Sequence, residues 1–481
     1  MLNMRNSTLK EHKLHKKQLL TPWNAIMGDK FTLRSWYKEC VPEYLWLGCI
    51  VNNYGRKDGL KRIYYIIEYI LNNKLEINDL RFSSLLELSD SNLYDYIGTV
   101  VDKNLMDNFC IVCNNNELYR KKFYNFKKTN NYRIKQLKEN IKELIDDHSE
   151  TSTDIRFVIV YYLSAHGKLR FMDGMETLDA IKEYYYLDHT NEKMRLYRSL
   201  IRSTEITAEQ IFEPRNYSLY FWDILGKASD CDYFYLDYKE RCKVNMKEYI
   251  QESKKQLSLL VLEHSKDFDD TKFNVLTSIY NYFLKIVNEI EEGNLYFKIS
   301  GRILMRTLMD CYVIAKFLVV EEKDNPNIYV DYVEDGLGHY KLINVKARDN
   351  KIEEYGHMLP IVLEALSNEP KSEEYLDVNL GYFNKKSVID RFKKINEKEL
   401  YDLLYDYDVQ FSHGHWGAIR ESATVSCSNP LHKNHFHSDI NFEVDCSSIK
   451  SDMLKISNKF NELLNSQYED FKIEELRKYG S

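Results

Sequence analysis

Three groups of residues in this chain have types and spacings that could do chemistry. The first lies in Gly301-Arg302-Ile303-Leu304-Met305-Arg306-Thr307-Leu308-Met309-Asp310, a stretch apolar nearly all round, as in a buried helix. Arg302, Arg306 and Asp310 recur every fourth residue and therefore share one stripe. An unpaired buried charge is costly, so these arginines must meet carboxylates, phosphates or solvent. Two readings stay open. One is a structural network of Arg306, Asp310 and a carboxylate from a neighbouring helix. The other is a phosphate-facing cleft, which the planar guanidinium suits.

The second group is Tyr405-Asp406-Tyr407-Asp408-Val409-Gln410-Phe411-Ser412-His413-Gly414-His415-Trp416. On a helix, Asp406, Val409 and His413 share one face, and Asp408, Ser412 and His415 another. A carboxylate one turn from an imidazole orients it and raises its pKa, as an acid–base histidine requires. The alternative is a pair of exposed histidines at a fraying end, beside Gly414 and Gly417. Arg420 and Glu421 follow closely enough to complete a polar pocket.

The third group is Cys427-Ser428-Asn429-Pro430-Leu431-His432-Lys433-Asn434-His435-Phe436-His437, with Cys446 later. Five of the 13 histidines fall between 413 and 437, a concentration that even spacing would not produce. Thiols and imidazoles gathered in an irregular segment suit a structural zinc site, because the metal substitutes for missing core. Cys427, His432, His435 and His437 are the candidate ligands, although their spacing matches no standard finger. The competing reading is a polar loop whose histidines cap helices. Lys121, Lys122, Lys127 and Lys128 interleave with Phe123, Tyr124 and Phe126, as an RNA-stacking patch would; a solvated face is the plainer account. Cys110 and Cys113 have CxxC spacing without a partner pair and read as core cysteines.

The elements that must position these groups are helices. Only 17 glycines and 7 prolines occur in 481 residues, too few for a turn-dense β-sandwich or a Gly-rich nucleotide fold. The length suggests two or three domains. A net charge of −7 argues against a surface that coats nucleic acid throughout, so any RNA contact must be a local patch. The basic start lacks the apolar core of a signal peptide, and the apolar run Cys311–Val320 is too short to span a bilayer. With an odd nine cysteines, a reducing cytoplasm and no membrane are expected. Phosphate-loop, nucleophile-elbow, zinc-protease and dinucleotide signatures are all missing.

Thr21-Pro22 reads as a helix start. Helical periodicity runs from Leu33 to Leu71, punctuated by Gly55 and Gly59, and again over 83–108, 132–147, 155–166, 174–186 and 190–203. The polar tract His148–Asp154 ends in an N-cap. Leu257–Ile290 reads as one long amphipathic helix, followed by helices at 300–322, from 386 to 416 with a break, and at 447–465. The expectation is an all-α protein with an N-terminal helical domain over 1–250, including a basic arm at 1–20. A C-terminal helical bundle over 251–481 follows, with an irregular segment at 422–446.

The Gly301–Arg306 stretch, Ser412-His413 and Cys427-Ser428-Asn429-Pro430-Leu431-His432 together resemble a bacterial domain family of unknown function. That family is similar to the HEPN (higher eukaryotes and prokaryotes nucleotide-binding) group of helical bundles. The resemblance covers about 255–465. It implies metal-independent RNA cleavage by a homodimeric domain acting as a toxin or effector in anti-phage defence, alongside another defence-system protein. Arg306 would then steady the scissile phosphate and His413 would act as acid–base. Arg302, Asp310 and His415 would complete the catalytic pocket, while Arg420 and the four lysines would hold RNA. No cofactor is needed for that activity. The group's signature, an Arg followed four to six residues later by a His on one helix, is missing from this half: after Arg420 the next histidine is His432. Arg and His must then come from different helices, or the domain only binds. The alternative expectation is a non-catalytic helical scaffold or sensor stapled by zinc.

Overall fold

Val41 to Val51 are buried without interruption, so the helix Val41–Tyr54 can exist only with neighbours on every side. A single π turn, Trp36–Cys40, leads into it, and Pro42 occupies its first turn. It ends at Gly55, whose φ of 76° is left-handed backbone that a side chain would strain. The next helix, Arg56–Asn72, folds straight back. There a Cβ on Gly59 would lie 2.7 Å from the Val51 Cα, so the bare glycine is what lets the two helices touch. Asn130–Leu144, Glu150–Ala165 and Tyr217–Lys227 pack around this centre.

The structure is a computed structural model that describes residues 8–27, 34–113, 115–208, 216–264, 270–350, 359–433, 435–472 and 474–477. Helix makes up 68% of the chain, so the protein is mainly all-α, as expected. The chain forms two compact units. The first takes Met1–Phe234 and Ser426–Phe436, the second Tyr235–Val425 and His437–Ser481. The division expected at 250 instead falls inside the helix Met246–Glu263. The first unit also borrows a piece of the C-terminal sequence that no local periodicity marks.

Within the second unit the helix Ile299–Glu321 is central. It packs against Thr271–Glu292, Ile328–Asp349, Val388–Lys394, Asp406–Ser412 and Lys450–Gln467. The single helix expected over Leu257–Ile290 is two, Met246–Glu263 and Thr271–Glu292. Asp270 starts the second by accepting the Phe273 N–H at 2.9 Å, a capping bond that competes with continuation. The N-cap expected at the end of the 148–154 tract is Ser149, which accepts from Ser152 N at 3.0 Å. Asp154 lies inside the helix, where it receives Arg56 at 3.0 Å. In the N-terminal arm, residues 13–20 form a hairpin in which Lys13 pairs with Leu20. The 422–446 segment contains the strands Thr424–Cys427 and Phe436–Ser438. No helix among the described residues is long and apolar enough to cross a membrane.

Buried charges recur in the first unit as matched pairs. Arg133 and Asp107 are both 0% exposed and meet at 2.8 Å, with the guanidinium also donating to the Asn125 and Lys128 carbonyls. Removing one partner strands the other in the core, at a cost of about 3–5 kcal/mol. Asp107→Ala should lower unfolding stability by that amount in urea titrations, and Asp107→Leu combined with Arg133→Met should recover most of it.

Candidate metal centre

Two sulfurs and two imidazoles converge in the first unit. One donor of each of Cys231, Cys427, His432 and His435 lies within 4.8 Å of all the others. Cys231 Sγ is 3.4 Å from His432 Nδ1 and 3.2 Å from His435 Nε2, and Cys427 Sγ is 3.4 Å from His432 Nδ1. A tetrahedral zinc ion with bonds of roughly 2.0–2.3 Å sets its donors roughly 3.3–3.8 Å apart, and these three separations are close to that spacing.

Local sequence explains the arrangement. Tyr233 pairs with Cys427 and Phe234 with Ser426 in an antiparallel ladder, which brings Cys231 alongside Cys427 although 195 residues separate them in the chain. Asn429 caps the turn. Its side chain accepts from Leu431 N at 3.1 Å and donates to the Asp230 carbonyl at 2.8 Å. Leu431, 0% exposed, anchors the loop in the helical core. Lys433 takes a left-handed conformation, φ 56°, and the chain returns so that Cys427 N–H donates to the His435 carbonyl at 3.0 Å.

The surroundings decide protonation. His432 Nε2 lies 3.0 Å from the Ser229 carbonyl oxygen, which can only accept. A proton on Nε2 satisfies that carbonyl, with the Ser229 hydroxyl also 3.1 Å away, and that tautomer turns the Nδ1 lone pair toward both sulfurs. The Asp232 N–H donates to Cys427 Sγ at 3.4 Å, as in thiolate sites. Burial and the adjacent Cys427 push the Cys231 thiol up: two neighbouring sulfurs resist holding two negative charges unless a cation lies between them.

Cys427, His432 and His435 are thus brought together as expected, and His437 is not. Two residues further along an extended strand, it lies roughly 7 Å beyond His435. Its place is taken by Cys231, which no spacing rule marks. Cys446 is also elsewhere, buried beside Phe411 and Ala418 in the second unit.

The catalytic candidates scatter. Arg302 is 4% exposed and binds Asp408 at 3.2 Å, with its other nitrogen donating to the Ser447 carbonyl at 2.9 Å. It is a core ion pair. Arg306, 29% exposed, donates to the Tyr405 hydroxyl at 3.3 Å and lies 3.9 Å from Asp310; among the described residues no hydrogen bond joins it to a histidine. Burial pushes Asp310 up against the pull of Arg306 and Arg391. His413 and His415 sit exposed around Gly414, their ring centroids 5.9 Å apart, and His415 Nδ1 is 2.8 Å from Gln410 Oε1. The shared helical faces expected there end at Ser412, because Gly414, at φ 60°, breaks the helix.

Arg420 donates to Thr424 Oγ1 at 2.7 Å in the second unit, whereas the four lysines belong to the first. Lys121 and Lys122 end the helix Glu117–Phe123, and Lys122 pairs with Asp95. Lys127 is exposed, and Lys128 donates to the Asn104 carbonyl at 3.3 Å while lying 4.7 Å over the Tyr132 ring.

Residues 269–430 match the family of unknown function DUF5677. The match takes in the Arg302 and Arg306 stripe and His413, together with Cys427 among the four donors. No curated protein and no solved structure matches the chain.

Burial pushes Asp408 up to about 7 against the opposing pull of Arg302, and Asp452 is raised as well. A raised carboxyl holds its proton more tightly folded than unfolded, so its contribution to stability is largest in acid and is lost as pH rises from roughly 4 to 7. Unfolding free energy should fall across that window by up to about 1.4 kcal/mol per pH unit, and Asp408→Asn should flatten the slope. An unchanged slope in the variant would place Asp408 outside the linkage.

Proposed function

We propose that the protein is a metal-stapled, non-catalytic helical scaffold or sensor. In this reading Cys231, Cys427, His432 and His435 hold one structural zinc ion. The observation that carries it is the donor set itself, with a bare Nδ1 turned toward two sulfurs by the Ser229 carbonyl. Four protein ligands leave no open position for substrate, which is the pattern of a structural site. The ion would add to the strand pairing and hydrogen bonds that hold the 426–436 loop to the 229–234 segment. Among the described residues no cysteine is disulfide-bonded, which supports a reducing, cytoplasmic location.

Purified full-length protein should carry one zinc per chain by elemental analysis, and Cys231→Ala should lose it. Cobalt substitution should give the thiolate charge-transfer absorption of a Cys₂His₂ site. Chelation should lower Tm and open residues 426–436 to hydrogen exchange. Metal-free protein with unchanged exchange in that loop would sink the staple.

A second reading rests on Arg306. Its guanidinium is partly exposed and shares the carboxylate of Asp310 with the nearby Arg391, so its solvent-facing edge could take an RNA phosphate. In this reading the C-terminal half is HEPN-like, dimeric, and binds or cleaves RNA as an anti-phage effector. Induced expression in bacteria should then arrest growth and fragment RNA, and Arg306→Ala should abolish both at equal protein level. Intact RNA with normal growth, in cells challenged with phage as well as in unchallenged ones, would reject it.

A further inference from the structure

The turn that returns His435 toward the sulfurs also sets two lysines around one concavity. Lys433, at the left-handed position of the turn, has its ammonium 6.0 Å from the Trp222 ring centroid. Trp222 donates its indole N–H to the Lys38 carbonyl at 2.8 Å, and the neighbouring Tyr37 hydroxyl donates to the Pro430 carbonyl. The backbone at Lys38 is therefore tied both to the helix Tyr217–Lys227 and to the ligand loop. Between them lies a groove of about 600 Å³, with Leu431 and Gly226 in its wall and Phe436 on its edge. That volume is within the roughly 300–1,000 Å³ of small-molecule sites.

The groove's charge is unbalanced. Its one carboxylate, Asp223, is matched by Lys227 at 2.8 Å. Among the described residues no carboxylate lies within ion-pair distance of Lys38 or Lys433. Asp223 also acts on Lys433, yet three lysines line the groove against this one carboxylate. Burial and Lys38 together push the Lys433 ammonium down, and a bound anion relieves the repulsion between Lys38 and Lys433. This happens in a chain whose net charge is −7, so the positive field is a local feature. Phe436, 42% exposed, adds an aromatic surface beside the cations. Cations that can hold a phosphate, next to a ring on which a base can stack, are the two parts of a site for a nucleotide unit.

We propose that this groove binds a nucleotide unit, its phosphate held between Lys38 and Lys433 and its base against Phe436. The unit comes either from a free mononucleotide or from a single strand. The proposal rests on the metal reading, because the ligand loop positions Lys433 and Phe436.

The test uses the zinc-loaded full chain. Fluorescence anisotropy follows a labelled single-stranded RNA of about 12 nucleotides, and calorimetry follows adenosine monophosphate. Lys38→Glu should weaken binding by about tenfold or more, and Lys433→Asn, which tolerates the left-handed backbone, should lower the salt slope by about one. Zinc content is measured on every sample. Because Lys38 is remote from the ligands in sequence, it decides the matter if Lys433→Asn sheds metal. Mononucleotide binding as tight as strand binding identifies the free ligand, and binding of the strand alone identifies nucleic acid; both support the site. A zinc-loaded chain that binds neither, or binds equally well after Lys38→Glu with zinc retained, overturns it. A zinc-free chain that still binds through Lys38 rejects the metal reading and leaves the groove standing.

Discussion

Two sulfurs and two ring nitrogens lie within 4.8 Å of one another in the first unit, a convergence that no single element could produce. Much of the irregular structure around them is arranged about that point. The Asn429 cap, the buried Leu431 anchor, the left-handed Lys433 and the short ladder beside Tyr233 all serve to deliver four donors to one point. None of these elements is long enough to be stable alone. They make sense as a group, each supplying either a donor or the hydrogen bond that aims one.

A second rule governs the helical cores. Deeply buried arginines meet carboxylates there: Arg133 with Asp107 in the first unit, Arg302 with Asp408 in the second. Such pairs contribute little net stability against well-packed apolar residues, but a misplaced register leaves a charge unpaired and is penalised heavily. In the helix Ile299–Glu321, apolar nearly all round, Arg302 therefore marks which side meets Asp408. Arg306, one turn along and partly exposed, is under no such demand.

Much of the helical content was legible because it depends on local patterns. Few Pro and Gly, the Thr21-Pro22 start and the Gly55 and Gly59 punctuation each act within a few residues, and each lies where periodicity places it. Failures came where a distant or competing partner decides. The polar Asp270 starts a new helix within a stretch that apolar periodicity would have carried through, and Ser149 is the cap while Asp154 lies inside the helix, paired with Arg56. In the Cys/His cluster, three candidate ligands lie close together in sequence and are close in space. The fourth, Cys231, is reached only through strand pairing across 195 residues, whereas His437, the nearest alternative in sequence, is carried away by the rise of the strand. The proposed pairing of Arg306 with His413 shows the same limit: side chains on separate helices can be listed from sequence, but their meeting depends on packing that sequence does not display.

The first unit includes Ser426–Phe436, although the rest of it ends at Phe234. During synthesis this means that the N-terminal unit emerges from the ribosome lacking Leu431, a fully buried member of its core, and three of the four clustered donors. At about 5–20 residues per second, the intervening chain takes roughly 10–40 s to appear, long enough for the second unit's local helix pairs to form first. The N-terminal unit, first to begin, is thus completed only after Tyr235–Val425 of the second unit has been made, and the second unit itself waits for His437–Ser481. A premature stop just before residue 426 would leave most of both units' sequence present and both permanently unfinished.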